Sequence, residues 1–344
     1  MDNGTSTPNG RASRNFIILA TLIAAGILAA VVLYMRTPSK VINVAIMTWG
    51  GAGPGYIATE KKFFGEYQVK FHVLDDTKQR QAAYQSKDFE VYLTNPDQHP
   101  REISMGMPGK MFMLSDFSFG ADGLMSRPDI ESVAALRGKR IAYTQGTASD
   151  FMLSKALASA GLSRKDVTLV ELDDPNTAGV ALASGKVDAA ISWEPLMSQA
   201  VASKQARILF TSRDVPNSII GVFIAKDSLL KDPARLNRFV SGWLEAVDYY
   251  KKFPEESTMI MAKNFKVTKG DMEGMMQGLR LAELKDNQDY FAAATGRPSK
   301  MDLFTTEAGL YWKSVDALPQ TFQFPERWVP VEANSLYLSR PPKQ

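Results

Sequence analysis

The chain has 344 residues, 45% hydrophobic and 22% charged, the make-up of a folded chain long enough for two domains rather than of a disordered one. Basic residues number 40 and acidic ones 37, but Arg11, Arg14, Arg36 and Lys40 precede residue 41 with Asp2 alone against them. The remainder therefore balances at 36 of each and offers no basic field for nucleic acid. The absence of cysteine excludes disulfides, thiol nucleophiles, thiolate metal or iron–sulfur sites and a lipoprotein signal.

Residues 1–15 are small and polar and are expected to be disordered. Residues 16–35 form an apolar run of 20, a length that spans a bilayer and exceeds the ~7–15 residues of a signal-peptide core. The run is read as an uncleaved transmembrane anchor, with 36–41 as a linker. Positive charges flank it evenly, so the orientation rests on the large neutral remainder, expected outside the cytoplasm of a bacterial inner membrane.

Residues 41–47 read as an apolar strand, and Thr48-Trp49-Gly50-Gly51-Ala52-Gly53-Pro54-Gly55 as a flexible loop. A phosphate loop is refused, because no Gly-Lys-Ser/Thr follows and G-x-G-x-x-G breaks at Tyr56. A helix over 56–64, a strand over 69–74, a helix over 78–86 and a strand over 89–93 follow, giving the βαβαβ order of a parallel sheet. Residues 105–113 are Met-rich core filler, and 116–123 read as a crossover between domains. The stretch 140–144 is a strand, Gln145-Gly146 a break, and 149–160 a helix with Thr147 or Ser149 as N-cap. Strands over 167–172, 187–191 and 208–211, a helix over 177–183 and a second apolar crossover over 217–225 come next. The rest reads as helical: 233–253 with Pro233 at its start, then 259–264, 269–281 and 301–315, before an extended tail at 322–330.

Several of these segments together resemble the periplasmic substrate-binding proteins of ABC importers, in the nitrate/sulfonate/taurine and thiamine-precursor group. The likeness is carried by Gly53-Pro54-Gly55-Tyr56-Ile57-Ala58 with Lys62-Phe63-Phe64, by Leu136-Arg137-Gly138-Lys139-Arg140-Ile141-Ala142 with Gln145-Gly146-Thr147, and by Ala181 to Ala190 leading into Trp193-Glu194-Pro195. The resemblance implies a two-lobed α/β fold, the type II periplasmic-binding-protein fold, with ligand in the cleft between lobes. Residues 42–118 plus 226–335 would form lobe 1 and 119–225 lobe 2. The segment 95–113 is longer and richer in Met than in that group, and an apolar anchor stands where an export signal would.

In open α/β sheets ligands sit beyond the C-terminal strand ends. That rule selects Trp49, Gly50, Gly51, Asn95, Asp97, Gln145, Gly146, Thr147, Ser149, Trp193 and Glu194, and the crossover adds Asp116, Ser118 and Asp122. Trp49 and Trp193 would stack on a ligand, or else fill lobe-edge core. Thr147 and Ser149 with nearby N–H groups suit a sulfonate, nitrate or carboxylate oxygen, or simply cap the helix. Asp97, Asp116, Asp122 and Glu194 favour an amine or heterocycle N–H, or else brace turns, and Asn95 would hydrogen-bond the ligand or serve its turn. The expected ligand is a small polar organic molecule with a donor face and an apolar or planar part. No catalytic residue, cofactor or metal site is expected, since no serine elbow, zinc spacing or Ser–His pair occurs. The expected partners are that ligand and an ABC permease or other envelope protein. The alternative is a tethered sensor or accessory envelope protein that uses the same fold without transport.

Overall fold

The computed structural model describes residues 23, 40–172, 177–294 and 296–338. The tail at 1–15, most of the linker and all but one residue of the apolar run at 16–35 lie outside them. No described helix is long and apolar enough to cross a membrane. The described residues from Val41 onward form one compact unit.

Strand β1 (Val41–Ile46) is nearly all apolar because it lies between two parallel neighbours. A short 3-10 turn and α1 (Pro54–Glu60) lead to β2 (Gln68–Val73), α2 (Thr77–Gln85), β3 (Phe89–Thr94) and α3 (His99–Ser104). Asp76 caps α2 by accepting the Gln79 N–H at 2.7 Å. Next come β4 (Lys110–Ser118), β5 (Asp122–Ser126), β6 (Arg140–Tyr143), α4 (Ala148–Ser159) and β7 (Thr168–Glu171). They are followed by α5 (Ala178–Ala183), β8 (Ala189–Trp193), α6 (Leu196–Ala202), β9 (Arg207–Thr211) and β10 (Ile220–Ala225). The chain finishes with α7 (Asp227–Leu230), α8 (Pro233–Lys252), α9 (Pro254–Phe265), α10 (Lys269–Gln277), β11 (Leu279–Leu281), α11 (Leu284–Phe291), α12 (Lys300–Ser314) and α13 (Val331–Leu338).

Two sheets result, one ordered β11-β4-β10-β3-β1-β2 and the other β7-β6-β8-β5-β9. Residues 119–121 and 212–219 connect them. Each sheet is parallel where βαβ units build it and antiparallel where β4, β5, β9, β10 and β11 enter. The stretches 116–123 and 217–225, read from sequence as crossovers, therefore lie largely in strands. Asp116, Ser118 and Asp122 gave β4 and β5 the look of a polar loop, yet all three are buried and belong to strands. The expected helix over 269–281 stops at Gln277, because residues 279–281 pair with the edge of β4. The helix expected over 56–64 runs instead from Pro54 to Glu60, with proline at its first position.

The larger core lies under the first sheet, around Trp243, Phe239, Phe223 and Phe112, with Met107, Met111 and Met113 among its fillers. Met105 is exposed. A second core, around Phe151, Leu157 and Ile141, belongs to the second sheet and takes in Trp312 of α12. His99 is fully buried between the Tyr92 hydroxyl and the Gly109 carbonyl, each 3.2 Å away.

Candidate functional site

A cavity of about 300 Å3 lies between the two sheets. Its walls come from strand ends and the turns after them, where backbone groups leave the ladder and side chains converge. The turn after β1 gives Met47, Thr48 and Trp49, and the segment after β2 gives Asp75 and Arg80. The end of β3 and the turn beyond it supply Leu93, Thr94, Asn95 and Gln98, and the β10 region supplies Ile219 and Gly221. From the second sheet come Asp122, then Thr147, Ala148 and Ser149 at the start of α4, and Trp193, Pro195 and Leu196.

Six of the residues selected from sequence meet here: Trp49, Asn95, Asp122, Thr147, Ser149 and Trp193. Trp49 is fixed from below, its Nε1 donating to Asp116 Oδ2 at 3.0 Å. The Ser115 hydroxyl donates to the other Asp116 oxygen at 2.6 Å. Burial pushes the Asp116 carboxyl up to about 6 against those two hydrogen bonds. Gly51 is glycine because a Cβ there would stand 1.9 Å from Asp116 Oδ1. Asn95 donates to the Ile220 carbonyl at 2.7 Å and accepts from Gln98 at 2.7 Å, tying the turn after β3 to β10.

Asp122 and Trp193 are directly paired across β5 and β8, so their side chains project from one face. Asp122 is 8% exposed, and its Oδ2 is buried without a hydrogen-bond partner among the described residues. Burial pushes this carboxyl up to about 7, with the charges of Asp116 and Glu194 acting in the same direction. Thr147 is the N-cap residue of α4 by position, but its hydroxyl donates back to the Thr144 carbonyl at 2.8 Å. Asp150, in the first turn of α4, accepts the Gly146 N–H at 2.9 Å and pairs with Arg164.

The other eight selected residues do not line the cavity. Gly50 and Gly51 are buried in the 3-10 turn under Trp49. Asp116 supports Trp49, and Ser118 shares a 2.7 Å hydrogen bond with Ser212 where the sheets connect. Gln145 is half-buried in the turn before α4, and the Gly146 carbonyl there accepts from Arg101. Glu194 accepts from the Ser198 N–H and hydroxyl at 3.1 and 2.9 Å, which makes it the cap of α6. Asp97 is fully buried, and neither carboxylate oxygen has a hydrogen-bond partner among the described residues.

Asp75, Arg80, Thr94 and Gln98 line the cavity although the sequence reading passed over them. Asp75 follows β2, so the strand-end rule applied to that strand would have found it. Its carboxylate accepts the Thr48 N–H at 2.6 Å and the Thr48 hydroxyl at 2.9 Å, locking two cavity turns together. Arg80 sits inside α2 with no local signal, and its Nη1 donates to the Leu74 carbonyl at 2.6 Å. The arrangement offers two indole walls, an under-satisfied carboxyl and a set of hydroxyl and amide groups, which is equipment for holding a solute. Among the described residues no group of three His, Asp or Glu is placed to hold a metal ion.

The fold is that of the solved periplasmic aliphatic sulphonate binding protein SsuA of Escherichia coli, with a TM-score of 0.67 at 18% identity over 83% of this chain and 96% of that one. In sequence, the taurine-binding periplasmic protein of Escherichia coli (strain K12) is 24% identical over 73% of this chain and 82% of its own length. A protein of Brucella abortus (strain 2308), named only as a binding protein, is 30% identical over 51% of this chain. The match spans 56% of that relative's own length. Residues 52–257, well over half of the chain, match the NMT1/THI5-like family, and the chain belongs to it.

Proposed function

We propose that this chain is an extracytoplasmic solute-binding protein that captures a small polar organic molecule between its two sheets for ABC import. The ligand class we favour is that of the sulfonate, nitrate and taurine binders or of the thiamine-precursor binders. One observation carries the reading: a cavity between the sheets is walled by Trp49 and Trp193 and floored by buried polar groups. The sulphonate and taurine proteins to which the chain is similar support it. The two sheets would act as lobes hinged at 119–121 and 212–219, with β10 in the first lobe because it pairs with β3 and β4. The apolar run at 16–35 would tether the domain to the membrane. That tether also supports a second reading, a membrane-held sensor or accessory envelope protein using the same cleft.

The test is a thermal-shift screen followed by isothermal titration against taurine, alkanesulfonates, nitrate and aminopyrimidines. A ligand at 100 times its Kd adds about 2.7 kcal/mol of stability. A hit that disappears in Trp193→Ala is the expected result, and silence across all four classes would overturn this choice of ligand class.

A further inference from the structure

We propose that the cleft selects a small organic cation bearing at least one N–H, with the Asp122 carboxylate as its charge partner and the Trp49 and Trp193 rings as its walls. This deepens the solute-binding reading and rests on it.

Three observations converge. First, Asp122 lines the cavity, is buried, and keeps Oδ2 without a partner among the described residues. A carboxylate removed from water in this way is costly until a donor, best a charged one, reaches it. Second, the sheet register sets Trp193 directly opposite Asp122, while the Asp116 hydrogen bond holds the Trp49 ring on the facing wall. An indole face attracts a cation as well as an apolar body. Third, the features that would receive an anion are already committed. Arg80, the cationic side chain among the described lining residues, donates to the carbonyls of Leu74 and Asp75, with the Asp75 carboxylate beside it. The positive end of α4 already holds the Asp150 carboxylate in its first turn. An anion in the cavity would instead face Asp122, with Asp116 beneath it.

The groups facing Asp122 from neighbouring elements are Asp116 on β4, Glu194 at the junction of β8 and α6, and Asp97 after β3. Burial is the main cause that disfavours its charged form, with the charges of Asp116 and Glu194 acting in the same direction and Asp97 itself neutral at pH 7, so Asp122 titrates near neutrality, at about 7. A bound cation favours the charged form, so binding expels a proton from Asp122 and strengthens as pH rises from 6 to 8.

The experiment is isothermal titration of the full chain with a matched series of benzylammonium, benzyl alcohol and phenylmethanesulfonate at pH 6 and pH 8. Benzylammonium is expected to bind roughly 10–100-fold tighter than benzyl alcohol, the range of one charge-assisted hydrogen bond. The preference should be larger at pH 8, lost in Asp122→Asn, and accompanied by proton release at pH 6, where the free carboxyl is still mostly protonated. If that variant does not fold, the wild-type series and its proton release decide alone. Phenylmethanesulfonate binding as well as benzylammonium, or an Asp122→Asn variant that keeps the preference, overturns cation selectivity and leaves the solute-binding reading standing. A hit on nitrate or an alkanesulfonate in the wider screen, with benzylammonium silent, does the same. Silence in both the series and the screen overturns cation selectivity and the choice of ligand class together.

Discussion

Asp97 sits in the turn after β3, held by a hydrogen bond from Trp312 Nε1 to its own peptide carbonyl at 2.5 Å. Trp312 is fully buried, so the turn cannot swing its carboxyl to water without breaking that packing. Burial, aided by the charges of Glu102, Asp122 and Asp150, pushes the carboxyl from an ordinary 3.8 to about 8, so it is protonated at pH 7. The folded chain thus keeps a proton that the unfolded chain releases above 3.8, and stability falls as pH rises through the window from about 4 to about 8. At about 1.4 kcal/mol per unit of pH, the cost reaches ~4 kcal/mol at pH 7 as an upper figure, but only ~1.5 kcal/mol at pH 5. Asn in place of Asp carries no such linkage, and the neutral amide and the protonated acid lack hydrogen-bond partners alike. Asp97→Asn is therefore expected to gain up to about 4 kcal/mol over the wild type at pH 7 and markedly less at pH 5. Urea denaturation of both proteins at pH 5, 7 and 8.5 measures this directly. A variant destabilised equally at all three values would show that Asp97 is charged and paired, and the argument would fail.

Two further substitutions separate support from recognition. Glu194→Ala removes the acceptor for two Ser198 donors at the start of α6 and should cost about 0.5–2 kcal/mol in urea denaturation. Ligand affinity should stay within a few-fold, and a loss of more than tenfold without a change in stability would place Glu194 at the ligand instead. Gly146→Ala forces a side chain into a residue with φ +68° and sets its Cβ 1.9 Å from the Arg101 guanidinium. Arg101 must then leave the Gly146 carbonyl and the Ala317 carbonyl that it also meets at 2.7 Å, for a combined loss of roughly 2–4 kcal/mol. An unchanged denaturation midpoint would show that the turn relaxes freely and that Arg101 does not clamp it.

The parts of this fold that could be read from sequence are those whose signal is local. Strands β1 to β3 and β6 to β8 are apolar runs punctuated by Gly and Pro, and the turns at their C-terminal ends supplied Trp49, Asn95, Thr147, Ser149 and Trp193 for the cavity. Short helices such as α3 and α6, of six and seven residues, were passed over because one or two turns carry too little periodicity to register. Helix α12 was legible as a helix but not in its destination. Met301 packs into the core of the first sheet, while Tyr311 and Trp312 reach that of the second, and a 3.6-residue period does not say which sheet an apolar face will meet.

Carboxylates were the hardest residues to place, and the reason is physical. Beside glycine and serine, an Asp reads as a turn residue, because there its side chain can bond its own backbone. In the folded chain, Asp116 meets Trp49 from 67 residues away, whereas Glu194 caps a helix that starts two residues later. Asp150 pairs with Arg164 and Gly146 nearby, and Asp97 has no hydrogen-bond partner for its carboxyl among the described residues. The free-energy cost of burying a charge is set by the partners that tertiary structure delivers, and those partners are not neighbours in sequence. Supporting and recognising carboxylates are therefore alike in sequence and become distinct once the sheets are assembled. Asp116 is already satisfied by two hydrogen bonds, while Asp122, on the cavity wall, keeps an oxygen with none.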